Sequence, residues 1–178
     1  MLYALIAIAA VIVIFILIVA TRPSQFQIAR SAKMAAPAPI VFTQVNDFRN
    51  WDAWSPWAKL DPNMTATREG PPAGTGAVYK WSGNGKVGEG MMTITDSRPS
   101  DSVRLKLQFM RPFKCTNQTE FTFQPQGDQT VVNWVMTGQN NFVCKAFGLF
   151  INMDKMIGRD FEKGLAQMKA VSESVASQ

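Results

Sequence analysis

Residues 103–110 read VRLKLQFM, with Val103, Leu105, Leu107 and Phe109 on one side and Arg104, Lys106 and Gln108 on the other. That alternation predicts a strand with one buried and one wet face, as an antiparallel sheet requires. Three neighbouring segments share the period. GAVYKWSG (76–83) sets Ala77, Tyr79 and Trp81 against Val78 and Lys80, TEFTFQP (119–125) puts Phe121 and Phe123 on one side, and VVNWVM (131–136) does the same for Val132, Trp134 and Met136. Pro99-Ser100-Asp101 and Gln126-Gly127-Asp128 read as the hairpin turns between strands.

Upstream of this run, QFQIARSAKM (25–34) alternates loosely and predicts a first strand, which Ala-Ala-Pro-Ala-Pro (35–39) ends before a short helix near 40–45. NWDAWSPW (50–57) reads as a second helical turn stopped at Ser55-Pro56. Downstream the period lengthens. From about Lys145 to Val175 the apolar residues Phe147, Phe150, Ile151, Ile157, Phe161, Leu165 and Met168 recur every three or four positions, which predicts one long amphipathic helix. Gly148, Gly158 and Gly164 would each weaken it by about 1 kcal/mol relative to alanine. The fold class expected is α+β, a long C-terminal helix packed on a curved antiparallel sheet.

The amino-terminal stretch has a different character. The first charged side chain is Arg22, and from Leu2 to Ala20 only Tyr3 carries a polar atom. Nineteen helical residues rise about 28 Å, close to the hydrocarbon thickness of a bilayer. The expected organisation is a transmembrane anchor over 1–21 and one domain over 22–178. A cleaved signal is the rival, though the stretch lacks a basic start and is too long. Arg22, Arg30 and Lys33 follow the span, so the positive-inside tendency places the domain on the cytoplasmic side. Cys115 and Cys144 are the only cysteines, which suits a reducing compartment, though sequence leaves their pairing open.

Composition excludes several chemistries. The chain has no histidine, so a Ser-His-Asp or Cys-His relay and the commonest metal ligand are absent. No Cys-x-x-Cys pair, glycine-rich phosphate loop or calcium loop replaces it, and neither a metal nor a cofactor is expected. A net charge of +5 suits an anionic membrane surface, while the lack of a basic run argues against nucleic acid.

Taken together, NDFRNWDAWSPWAKLDP (46–62), GTGAVYKWSGNGKVGEGMMTI (74–94) and NMDKMIGRDFEKGL (152–165) resemble a membrane-anchored bacterial branch of the START/polyketide-cyclase-like superfamily, or SRPBCC. The resemblance spans about residues 25–174 and implies the helix-grip fold. It also implies a hydrophobic small molecule or lipid held between sheet and long helix, with cyclisation or dehydration in a minority of members. The motifs mark no catalytic site, and fold does not transfer activity.

If the long helix closes over the sheet, a ligand-binding pocket would be lined by Tyr79, Trp81, Leu105, Leu107, Phe109, Phe121, Phe123, Trp134, Met136, Phe147, Phe150 and Phe161. Each is equally a plain core residue; ten methionines and the wide aromatics tilt the set toward a pliable cavity. Asp154 falls on the helix stripe, where it would face inward to orient a ligand, act as acid or base, or pair buried with a strand cation, or else be a boundary residue that reaches water. Trp51, Trp54 and Trp57 form either an aromatic lip or a lock holding the short helices to the sheet. Glu89, between Gly88 and Gly90, is a further polar candidate beside an expected bulge. Three functions remain open: ligand binding without turnover; a cyclase or dehydratase using Asp154, Glu89 or Tyr79; and a ligand-free interaction domain with a filled core.

Overall fold

The computed structural model describes all 178 residues. Along the chain lie α1 (Leu2–Thr21), β1 (Gln25–Met34), α2 (Ala38–Asn46), α3 (Trp51–Trp54), β2 (Thr65–Glu69), β3 (Val78–Ser82) and β4 (Glu89–Arg98). Then follow β5 (Ser102–Arg111), β6 (Cys115–Gln126), β7 (Gln129–Gln139), α4 (Phe142–Phe147) and α5 (Met153–Ala176). The strands form one antiparallel sheet in the order β1-β7-β6-β5-β4-β3-β2. Helices α2, α3 and α5 cover one face, and the combination is the helix-grip α+β fold.

The alternation sets which side chains meet the helices. One row across the sheet runs Arg30, Trp134, Phe121 and Val103, each opposite the next, and all four share the covered face. Pro99 to Asp101 makes the β4–β5 turn with Ser100 at φ 58, a left-handed position that hydrogen-bonding turn residues tolerate better than β-branched ones. The register of β4 shifts at Glu89/Gly90, where the flanking glycines point to a bulge, and again at Ile94/Asp96.

Three features differ from the sequence reading or sharpen it. Strand β2 carries no alternation because every one of its five residues is exposed, and it is defined only by pairing with β3. The tryptophans of the NWDAWSPW segment act as a lock. Trp51 Nε1–H donates to the Val45 carbonyl and Trp54 Nε1–H to the Gln44 carbonyl, both at 2.9 Å, with the two rings buried.

The expected single C-terminal helix is instead two. Asn141 opens α4 by accepting from the Cys144 N–H, and Asn152 opens α5 by accepting from the Lys155 N–H. Each is a favoured N-cap, and the second starts a separate helix after a break over 148–152. The apolar residues on either side of that break therefore do not share one face.

Helix α5 is fastened to β1 at both ends. Near its start Arg30 reaches Asp154 and Glu162, and near its end Glu173 accepts the Ala35 N–H at 2.7 Å. Its two central glycines allow the close approach. A Cβ at Gly158 would collide with the Arg30 guanidinium, and one at Gly164 would sit 2.9 Å from the Trp134 ring. Their cost in helix propensity is thus offset by contact with the sheet.

Candidate functional site between sheet and long helix

The middle of the grip is filled by stacked rings. Trp134 lies between Phe161 of α5, at 3.9 Å and 6° between planes, and Phe121 of β6, at 4.8 Å and 30°. Trp54 and Trp57 meet Trp134 edge-on at 5.8 and 5.9 Å. Phe123 and Val132 continue this packing to one end, and these two, Val103 and Leu105 are buried completely or nearly so. This half is hydrophobic core.

Toward the other end of the same face the cover thins. Tyr79 and Met136 are still buried, but Trp81, Leu107 and Phe109 are only partly so, as are Phe26 and Met92 from the neighbouring strands and Ile157 from α5. Trp81 meets Phe109 edge-on at 5.7 Å and stacks on Tyr79 at 6.2 Å. The result is an apolar surface only partly buried, toward the end of the grip where α5 begins.

Two buried side-chain polar atoms have no hydrogen-bond partner, Trp134 Nε1 and Ser172 Oγ of α5. Trp134 is 2% exposed, and its Nε1–H is buried without a hydrogen-bond partner. Such an orphan costs about 1–3 kcal/mol unless something accepts from it. The Cζ3 edge of the ring faces Gly164 of α5.

Of the twelve residues expected to line a pocket, ten come together on the covered face. Phe147 and Phe150 do not. They are 55% and 80% exposed, because they lie on α4 and in the break before α5 rather than on the helix that covers the sheet.

Asp154 also does not face inward. Its carboxylate is 59% exposed and pairs with Arg30 at 3.1 Å, and the Arg30 Nε–H donates to Glu162 at 2.8 Å. The strand-cation pairing is the reading that holds, at a boundary that reaches water. Hydrogen bonding from Arg30 holds the Asp154 carboxyl below its ordinary value, and the same bonds hold the Arg30 guanidinium above its own. Glu89 is taken up by Arg111 at 2.6 Å. Burial raises the Tyr79 phenol, whose ring lies 5.5 Å from the Arg68 guanidinium. None of Asp154, Glu89 and Tyr79 hydrogen-bonds to another, and each carboxylate is spent on a guanidinium.

Arg30 is the residue that sequence reasoning used only as a charge count. It stands at the inward parity of β1, with Ile28 and Ala32, and a cation on a buried parity was the available signal. Its partner lies 124 residues away.

These ion pairs make the fold sensitive to acid. Hydrogen bonds from Arg49 likewise hold the Asp47 carboxyl below the ordinary value. A carboxylate with a lowered folded-state pKa contributes stability that is present above its unfolded value, near pH 4, and lost as the pH falls through the folded value. Urea midpoints should therefore drop as the pH falls below about 4, and less steeply for Asp154→Asn. An unchanged acid limb in that variant would remove the Arg30 pair as a source of stability.

Comparison with known proteins follows the same outline. Residues 25–173 match the family described as polyketide cyclase / dehydrase and lipid transport. A Chromobacterium violaceum protein solved by crystallography superposes with a TM-score of 0.58 at 15% identity, over 85% of this chain and 99% of that one. The KanY protein, solved by NMR, gives 0.62 at 15% identity, over 85% of this chain and 99% of its own. The di-domain ARO/CYC StfQ from the steffimycin biosynthetic pathway gives 0.61 at 12% identity, over 87% of this chain and 53% of that one. No curated protein matches the sequence. At these identities the solved structures speak for the fold alone. The family match spans most of the chain, and the chain belongs to the polyketide cyclase/dehydrase and lipid-transport family.

Proposed function

We propose that the domain binds an apolar small molecule or lipid at the partly covered end of the grip, without turnover, and is held at a membrane by α1. The observation that carries this reading is the apolar surface of Trp81, Met92, Leu107 and Phe109, which is only partly buried. A partly uncovered apolar surface with few polar groups is what a hydrophobic ligand site requires. The unsatisfied Trp134 N–H suits a ligand carbonyl or hydroxyl that reaches the stacked rings. Family membership supports the same class of ligand. Turnover by Asp154 or Glu89 is disfavoured, because both are committed to ion pairs on the rim.

The membrane part of the proposal rests on α1. It has 20 residues, mean hydropathy 3.3 and 6% of its apolar window buried, so it is not a core helix. Arg22, Arg30 and Lys33 beyond it favour a cytoplasmic domain.

Residues 22–178 carry the whole core apart from Val19, so the test uses that domain expressed without the span. Native mass spectrometry of that domain should show a stoichiometric apolar adduct. Leu107→Trp, which adds bulk to the apolar surface without adding charge, should lose the adduct while keeping its circular dichroism. If the wild-type domain carries no adduct and takes up no added fatty acid or phospholipid, the ligand-free interaction domain becomes the better reading.

A further inference from the structure

The break between α4 and α5 does not cover the sheet, yet it is the most apolar exposed stretch of the domain. Phe142, Val143 and Phe147 of α4 and Phe150 and Ile151 of the break are all exposed. A contiguous exposed apolar patch marks a contact surface. Its position identifies the contact. Helix α1 packs on α4, and Val19, in the last turn of α1, is the one residue of that helix to be buried. At 1.5 Å per residue, Val19 is only about 5 Å along the helix from Arg22. If α1 spans a bilayer, α4 and the break after it lie at the depth of the headgroups.

A groove of about 510 Å³ lies at this junction, lined by residues from the end of α1, from α4 and from the break. Arg22 and Lys145 supply two cations, Leu149, Phe150 and Ile151 supply apolar surface, and no carboxylate lines the groove. Neither cation has an ion-pair partner, although ten pairs occupy other charges of the domain. The site thus joins unneutralised positive charge to apolar side chains beside a membrane span.

We propose that this groove holds the phosphate-bearing headgroup of an anionic bilayer phospholipid, with Arg22 and Lys145 on the phosphate and Phe150 and Ile151 against the upper acyl carbons. The proposal rests on α1 as a span and is independent of the apolar surface in the grip. It gives the break over 148–152 a role that a single long helix could not serve. Joining the two helices would carry Phe150 and Ile151 away from the foot of α1.

The test uses the full chain in vesicles of phosphatidylcholine with phosphatidylglycerol, then native mass spectrometry of protein released with its bound lipid. A juxtamembrane cation is worth roughly a fivefold preference for anionic lipid. Wild type should retain phosphatidylglycerol about twenty- to thirtyfold over phosphatidylcholine, relative to the mixture. Arg22→Gln with Lys145→Gln should abolish the preference. Lys59→Gln with Lys86→Gln, which removes two exposed cations elsewhere, should preserve it. Equal retention of the two lipids by wild type overturns the groove assignment, and so does equal loss in both double variants, which would mark a general charge effect. Alkaline carbonate extraction separates the two readings. A chain that washes out overturns the span and the groove together, whereas an inserted chain with no preference overturns the groove alone.

Discussion

Phe161→Ala should lower the stability of the domain by about 3–5 kcal/mol, the range for truncating a buried phenylalanine. Phe161 is 2% exposed, and its ring lies flat on Trp134 at 3.9 Å while meeting Trp57 edge-on at 6.4 Å. Aromatic pairs contribute about 0.5–1.5 kcal/mol beyond the area they bury, so the loss should fall in the upper part of that range. Phe161 is also the central residue by which α5 grips the sheet, since Gly158 and Gly164 on either side present no side chain. For a domain of this size the melting temperature should fall by roughly 10–15 °C. Near-ultraviolet circular dichroism should change with it, because the Trp134 ring loses its stacking partner. Phe161→Leu should retain about half the lost stability. A fall of less than about 1 kcal/mol for the alanine variant would mean that the short helices, not the ring stack, hold α5 in place.

Deleting residues 2–20 should move the protein completely from pelleted membranes to the soluble fraction while leaving its fold intact. The physical basis is a mean hydropathy of 3.3 over a helix that buries only Val19 against the domain. Apolar residues at the centre of a span each favour insertion by about 0.3–0.6 kcal/mol, so the full stretch is effectively irreversible. The intact mass separates anchor from signal: an anchored chain keeps residues 1–21, and a processed one loses them. Cys115 and Cys144 are both exposed and free, and they report orientation without added cysteines. A membrane-impermeant maleimide should modify them in inverted vesicles and not in intact cells. Labelling in intact cells would reverse the orientation expected from Arg22, Arg30 and Lys33.

Deleting the apolar helix and truncating Phe161 probe the two features most legible in the amino-acid sequence. The period of two names the inward set on β3, β5, β6 and β7, and all of it lies on the covered face because alternation is a local property of extended backbone. Strand β1 is legible to its observed ends, 25–34, for the same reason and because Pro37 lies beyond them. Strand β2 is invisible in the sequence, since an edge strand exposed on both faces has no pattern to show. The site is less legible than the fold. Helical spacing puts Phe147, Phe150 and Asp154 on the stripe of Phe161, but an apolar period cannot show that Asn152 ends one helix and caps another.

Sequence by itself determined the composition of each layer: an apolar helix long enough to cross a bilayer, strands with one dry face, an amphipathic helix to cover them, and a chain with no histidine chemistry. Tertiary structure alone decided which of those inward residues are sealed and which remain open, because burial depends on where α5 starts and not on residue type. It also decided that Asp154 serves Arg30 and that Phe150 lies beside the foot of α1. Both outcomes join residues more than 120 positions apart, and no local pattern carries information over that separation.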